Sequence, residues 1–138
     1  MYLIGFPLLV ITFAIYNMIA FLTPSLTWTA NVVTIHLISG QDWTVTPEDI
    51  LLTFATLLLG VEVVKAARMG VRGLMDHILS MVLFIVMLVE FLLVQRAGTS
   101  TFFILMVITL VDVMAGFIIT ARTAQRDIQI DRTIDPAV

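Results

Sequence analysis

Three carboxylates lie more than a helical turn from either end of long apolar runs of this chain: Glu62, Glu90 and Asp112. Asn17 adds an amide in a fourth such run. Ionisable groups within membrane-length segments are costly, and they mark proton, cation or partner sites by default. At about 1.5 Å rise per residue, counted from the outer end of each run, Asn17 and Glu90 lie roughly 9 Å deep, Asp112 about 17 Å and Glu62 about 22 Å. The four therefore sort into an outer layer, Asn17 with Glu90, and an inner layer, Asp112 with Glu62. Lys65, Arg68 and His77 fall just below the inner layer, at the headgroups.

Each acid has a bland and a sharp reading. Lys65 follows Glu62 by three residues on the same helix face, so the two can pair while Lys65 snorkels outward. Glu90 can reach toward the interface and Arg96 in the same way. Asp112 is different: no basic residue lies within a turn of it. It must be neutral, paired across helices, or facing water. A neutral Asp112 would act as interhelical glue to a Thr or to Asn17. The sharper reading is proton or cation handling, or contact with a partner.

The elements that must position these residues are apolar runs at 3–23, 47–66, 74–95 and 101–121. A helix needs about 20 apolar residues to cross the hydrocarbon layer. Hydrophobic residues make up 60% of the 138 and charged residues 12%, against about 25% charged in soluble domains. The mean hydropathy is +1.09. The expected fold is an all-α integral membrane protein, a four-transmembrane-helix bundle in one domain over 1–138. The first run has no basic residue before it and is too long for a leader's apolar core, which predicts a retained anchor.

Basic residues set the expected orientation. Lys65, Arg68 and Arg72 lie between the second and third runs, and Arg122, Arg126 and Arg132 follow the fourth. The loop 24–46 has none, and the turn after the third run has only Arg96. The positive-inside rule then places both termini in the cytoplasm. Lys65, Arg68 and Arg72 would meet anionic lipid headgroups.

The outer loop is rich in strand formers from Leu26 to Leu37. Ser39-Gly40-Gln41-Asp42 reads as a turn and Trp43-Thr44-Val45-Thr46 as a returning strand, so a small extracytoplasmic hairpin on the membrane surface is expected. Trp28 and Trp43 would anchor it at the interface, or the hairpin would dock a partner. Thr46-Pro47-Glu48-Asp49 is a helix start with a capping hydroxyl and acids at the positive dipole end. Gly98-Thr99-Ser100 should turn into the fourth run. The residues from Arg122 to the end form a tail in which charges alternate with Ile128, Ile130 and Ile134, held by the bilayer surface or a neighbouring protein. Ala115 and Gly116 beside Asp112, and Gly60 beside Glu62, mark close packing faces.

Several chemistries find no residues. There is no cysteine, so disulfides, thiolate chemistry and thiolate-bound metals are excluded. His36 and His77 fall on opposite sides of the membrane and cannot share a metal or haem. The eight methionines are scattered as packing residues. No phosphate loop, zinc motif or nucleophile–base pair occurs. No enzymatic activity, cofactor, metal or nucleic-acid partner is expected.

From the second run onward the layout resembles the small phosphate-starvation-inducible bacterial membrane proteins of the E type. The similarity lies in Glu62 within its apolar run, in Lys65-Ala66-Ala67-Arg68, and in a third run ending Leu88-Val89-Glu90-Phe91-Leu92-Leu93-Val94. The spacing to the fourth run is also comparable. The pattern departs at Glu90, where that family would carry a basic residue, and in the outer loop. The resemblance covers roughly half of the chain. It implies a four-span protein of the bacterial inner membrane and no enzymatic role.

Two functions are then expected to compete. One is a non-enzymatic accessory or scaffold subunit of a larger membrane complex. The other is an oligomeric transporter or proton- or ion-conducting protein using Asp112 and Glu62. The partners are the bilayer and other membrane subunits, or further copies of this chain.

Overall fold

The computed structural model describes residues 5–69 and 73–134. In chain order these form α1 (Leu9–Leu22), β1 (Val33–His36), β2 (Asp42–Val45), α2 (Pro47–Met69), α3 (Gly73–Leu93), a 3-10 turn (Gln95–Ala97) and α4 (Ser100–Ile134). Three of the helices, Pro47–Arg68 within α2, α3 and α4, are long and apolar enough to cross a membrane. α4 packs against both α2 and α3, and α1 lies against α2 and α4. The core is thin and centred on α4, where Phe102 and Leu105 are fully buried against Tyr16, Leu9 and Met87. Outward faces carry large exposed apolar side chains such as Leu57, Leu92 and Phe117, as expected for helices whose solvent is lipid.

Two helices differ from their expected lengths. α1 has 14 residues, about 21 Å of helix, and falls short of the crossing length read for 3–23. Pro7 and Leu8 are described outside the helix, and Leu3 and Ile4 lie outside the described residues. Proline has no N–H to give and restrains the residue before it, so it favours a helix start here over a helix interior. α4, by contrast, does not stop at Ala121 but runs on to Ile134. Hydropathy falls after Ala121, yet no Pro or Gly breaks the stretch before Pro136. The expected tail is therefore a continuation of the helix, except for 135–138, which lie outside the described residues.

The hairpin is present and shorter than expected. β1 and β2 pair antiparallel, with Val33 opposite Val45 and His36 opposite Asp42. The Leu37–Gln41 turn is closed by backbone bonds, and Gly40 takes φ 84°, a conformation that costs glycine little. Nδ1 of His36 and Oδ1 of Asp42 lie 2.5 Å apart across the last register pair. The helix starts follow the sequence closely. Thr46 and Asp49 form a reciprocal capping pair, with Thr46 N–H and Oγ1 donating to Asp49 Oδ2 and Asp49 N–H donating to Thr46 Oγ1. Thr99 Oγ1 accepts from Phe102 N–H at 3.2 Å to start α4.

Candidate functional site

The inner layer is built from one turn on each of three helices. Glu62 and Lys65 occupy one face of α2, and Lys65 Nζ lies 2.9 Å from Glu62 Oε2. The same ammonium lies 3.0 Å from Asp76 Oδ2 on the first turn of α3 and donates to the Phe6 carbonyl at 3.0 Å. All three of its donors are thus engaged. The other oxygen of Glu62 accepts from Leu8 N–H at the start of α1, where the helix dipole and its free N–H groups favour an anion. One ion cluster therefore ties the beginning of α1 to α2 and α3.

Asp112 reaches the same place from α4. With Glu62, Asp76, His77, Ser80, Gly116 and others it lines a cavity of about 20 Å³, room for a single water molecule. Glu62, Asp76, Ser80 and Asp112 are each more than nine-tenths buried. Ser80 is the hydroxyl beside Asp112. Asp76 and Ser80 are four residues apart on α3, and Asp112 and Gly116 four apart on α4, so each pair shares a helix face. Asp76 Oδ1 and His77 Nδ1 are buried and have no hydrogen-bond partner among the described residues. Three carboxylates gather here around one ammonium, which contacts two of them, Glu62 and Asp76.

Gly116 lets α3 and α4 approach. A Cβ at this position would stand 2.7 Å from His77 Nδ1, closer than carbon and nitrogen tolerate. Gly116→Ala should force the imidazole aside and cost about 1–3 kcal/mol, the usual range for overpacking. Detergent-denaturation midpoints measure it, and adding His77→Ala should recover most of the loss in a double-mutant cycle.

The outer layer also forms. Asn17 Nδ2 donates to Glu90 Oε2 at 3.4 Å and to the Phe13 carbonyl at 3.2 Å. Glu90 Oε1 is buried with no partner among the described residues. Arg96 does not pair with Glu90 as expected. It donates to the Ala20 carbonyl at 2.6 Å and sits 5.5 Å over the Phe21 ring, because the unsatisfied carbonyls at the end of α1 attract a cation.

The remaining candidates separate. Lys65, expected at the headgroups, turns its ammonium inward to the cluster. Arg68 is exposed on the last turn of α2, and Arg72 lies outside the described residues. Trp43 is exposed over Ile50, Phe54 and Leu57 of α2. Trp28 is half-buried and stacks on Tyr16, with ring centroids 4.7 Å apart and planes at 5°. Gly60 faces open space, and a Cβ there would meet nothing within 4 Å among the described residues.

Asp76 is the site residue that sequence reasoning missed. An acid in the first turn of a helix reads as a partner of the dipole, which leaves it no further role to explain. The usable signal is arithmetic: the basic corner holds Lys65, which has two acids, Glu62 and Asp76, within reach of a short turn. No group of three or more His, Asp or Glu able to hold a metal ion occurs among the described residues. Searches against protein families, curated proteins and solved structures return no match.

Proposed function

We propose that this chain is a small non-enzymatic integral membrane subunit that serves as an accessory or scaffold component of a larger membrane protein complex. The observation that carries this reading is α4. Its 35 residues make a helix of about 52 Å, well beyond a hydrocarbon core of about 30 Å. The polar end leaves Ile128, Ile130 and Ile134 between 56% and 74% exposed. Ile130 and Ile134, four residues apart, share one helix face and form an exposed apolar pair of the kind a protein partner covers. The ion cluster supports the same reading, since Lys65, Glu62 and Asp76 are engaged with one another and brace the bundle.

On this proposal α1, together with the residues before it, completes a fourth crossing. Both termini face the cytoplasm of a bacterial cell, as the basic residues and the family resemblance suggest. Purification in mild detergent tests the function. Co-purification of other membrane subunits in fixed stoichiometry is expected, with release of those subunits when Ile130 and Ile134 are both changed to Ser. A pure homo-oligomer that conducts protons or cations, and stops doing so on Asp112→Asn, would replace this reading with the conducting one.

A further inference from the structure

We propose that the cavity between α2, α3 and α4 is a proton-binding site, in which one water and one proton are shared by Asp112 and the free oxygen of Asp76. The inference stands apart from the accessory role, because the bound proton serves the bundle whether or not anything is transported.

The first ground is charge. Glu62 and Lys65 from α2, Asp76 and His77 from α3, and Asp112 from α4 face the cavity or its immediate wall. Lys65 balances one carboxylate, and the start of α1 offsets part of a second through Leu8 N–H. The third carboxylate, on Asp112, has no cation of its own. An unpaired ionised carboxylate in so dry a place is strongly disfavoured, and taking up a proton removes the penalty.

The second ground is geometry. Asp76 is 6% exposed, its Oδ2 is held by Lys65, and its Oδ1 is buried without a partner among the described residues. The cavity has the volume of one water. A water there would have Asp76 Oδ1, Asp112, Ser80 and His77 Nδ1 as lining partners, which satisfies the two to four that a buried water needs. The lining also continues toward the ends of the helices. Asp112, Gly116 and Thr120 succeed one another at four-residue spacing on α4, and Ser80, Asp76 and Gly73 at four and then three residues on α3. These residues span about 12 Å along α4 and reach Gly73, the first residue of α3.

Infrared spectroscopy of the whole chain in phosphatidylcholine nanodiscs tests the proposal. At neutral pH the wild type should show the carbonyl stretch of a protonated carboxyl group, shifting on transfer to heavy water. Glu90 is the other carboxyl with a buried oxygen and no cation among the described residues, so the measurement is repeated in a Glu90→Gln background, where the band should persist and Asp112→Asn should remove it. Asp76→Asn, checked for retained helicity by circular dichroism, should keep the band but move its frequency, since its hydrogen-bond partner is altered. A band that survives Asp112→Asn unchanged in the Glu90→Gln background overturns the proposal. So does the absence of any such band in the wild type, or a band present in choline chloride buffer that vanishes in sodium chloride buffer, which would make the site one for a metal cation.

Discussion

Lys65→Met should be among the most damaging single substitutions in the chain. It keeps the length and apolar stem of the side chain and removes one charge. Glu62 and Asp76 would then face each other, and the Phe6 carbonyl would lose its donor. Removing one partner from a buried ion pair costs about 3–5 kcal/mol, a large part of the roughly 5–15 kcal/mol by which proteins are stable. The variant should therefore unfold at much lower denaturant and accumulate poorly in membranes. Adding Glu62→Gln and Asp76→Asn should restore much of the loss, because the uncompensated charges leave together. Circular dichroism through a detergent titration reads both effects. A Lys65→Met midpoint equal to that of the wild type would mean that the ammonium spends its time at the headgroups instead.

The second large effect is expected at the opposite end of the bundle, from Tyr16→Ala. Tyr16 is fully buried. Its hydroxyl donates to the Arg96 carbonyl at 2.8 Å and accepts from Thr99 Oγ1 at 2.6 Å. Its ring stacks on Trp28 and meets Phe102 edge-on at 4.8 Å. One side chain thus joins α1, the outer loop, the 3-10 turn and the start of α4. Truncating a large buried aromatic costs about 3–5 kcal/mol, here chiefly through lost packing, since lipid is as apolar as the core. Tyr16→Phe keeps the ring and should cost about 0.5–1.5 kcal/mol, the net worth of a typical hydrogen bond, since the bond to Arg96 is part-buried. In a Trp43→Phe background Trp28 is the sole tryptophan, and its emission should move to longer wavelength in Tyr16→Ala while staying near the parent value in Tyr16→Phe.

Much of this architecture is legible without coordinates. α2, α3 and most of α4 follow from runs of apolar residues, and the start of α2 from Thr46 and Asp49. The hairpin follows from its β-branched residues and Gly40. The pairing of Glu62 with Lys65 follows from a three-residue spacing, and that of Asn17 with Glu90 from equal depth. What stays hidden depends on tertiary placement or on the difference between hydropathy and helicity. Residues 9–22 are no more apolar than their neighbours, so nothing in composition marks where α1 begins. Arg122 and Gln125 are polar and good helix formers at once, so the greasy stretch ends well before the helix does. Asp76 meets Lys65 only because the first turn of α3 lies beside that part of α2, and Arg96 meets Ala20 across a separation of 76 residues.

The unbroken length of α4 makes it a lever. Its first turn is pinned by Thr99 and Phe102 to the aromatic cluster, and its last turns carry Ile130 and Ile134. A rocking of about 10° at the pinned end sweeps the far tip through about 9 Å. Thinning or thickening of surrounding lipid, which helices accommodate by tilting, would thus be magnified at the exposed tip that carries Ile130 and Ile134.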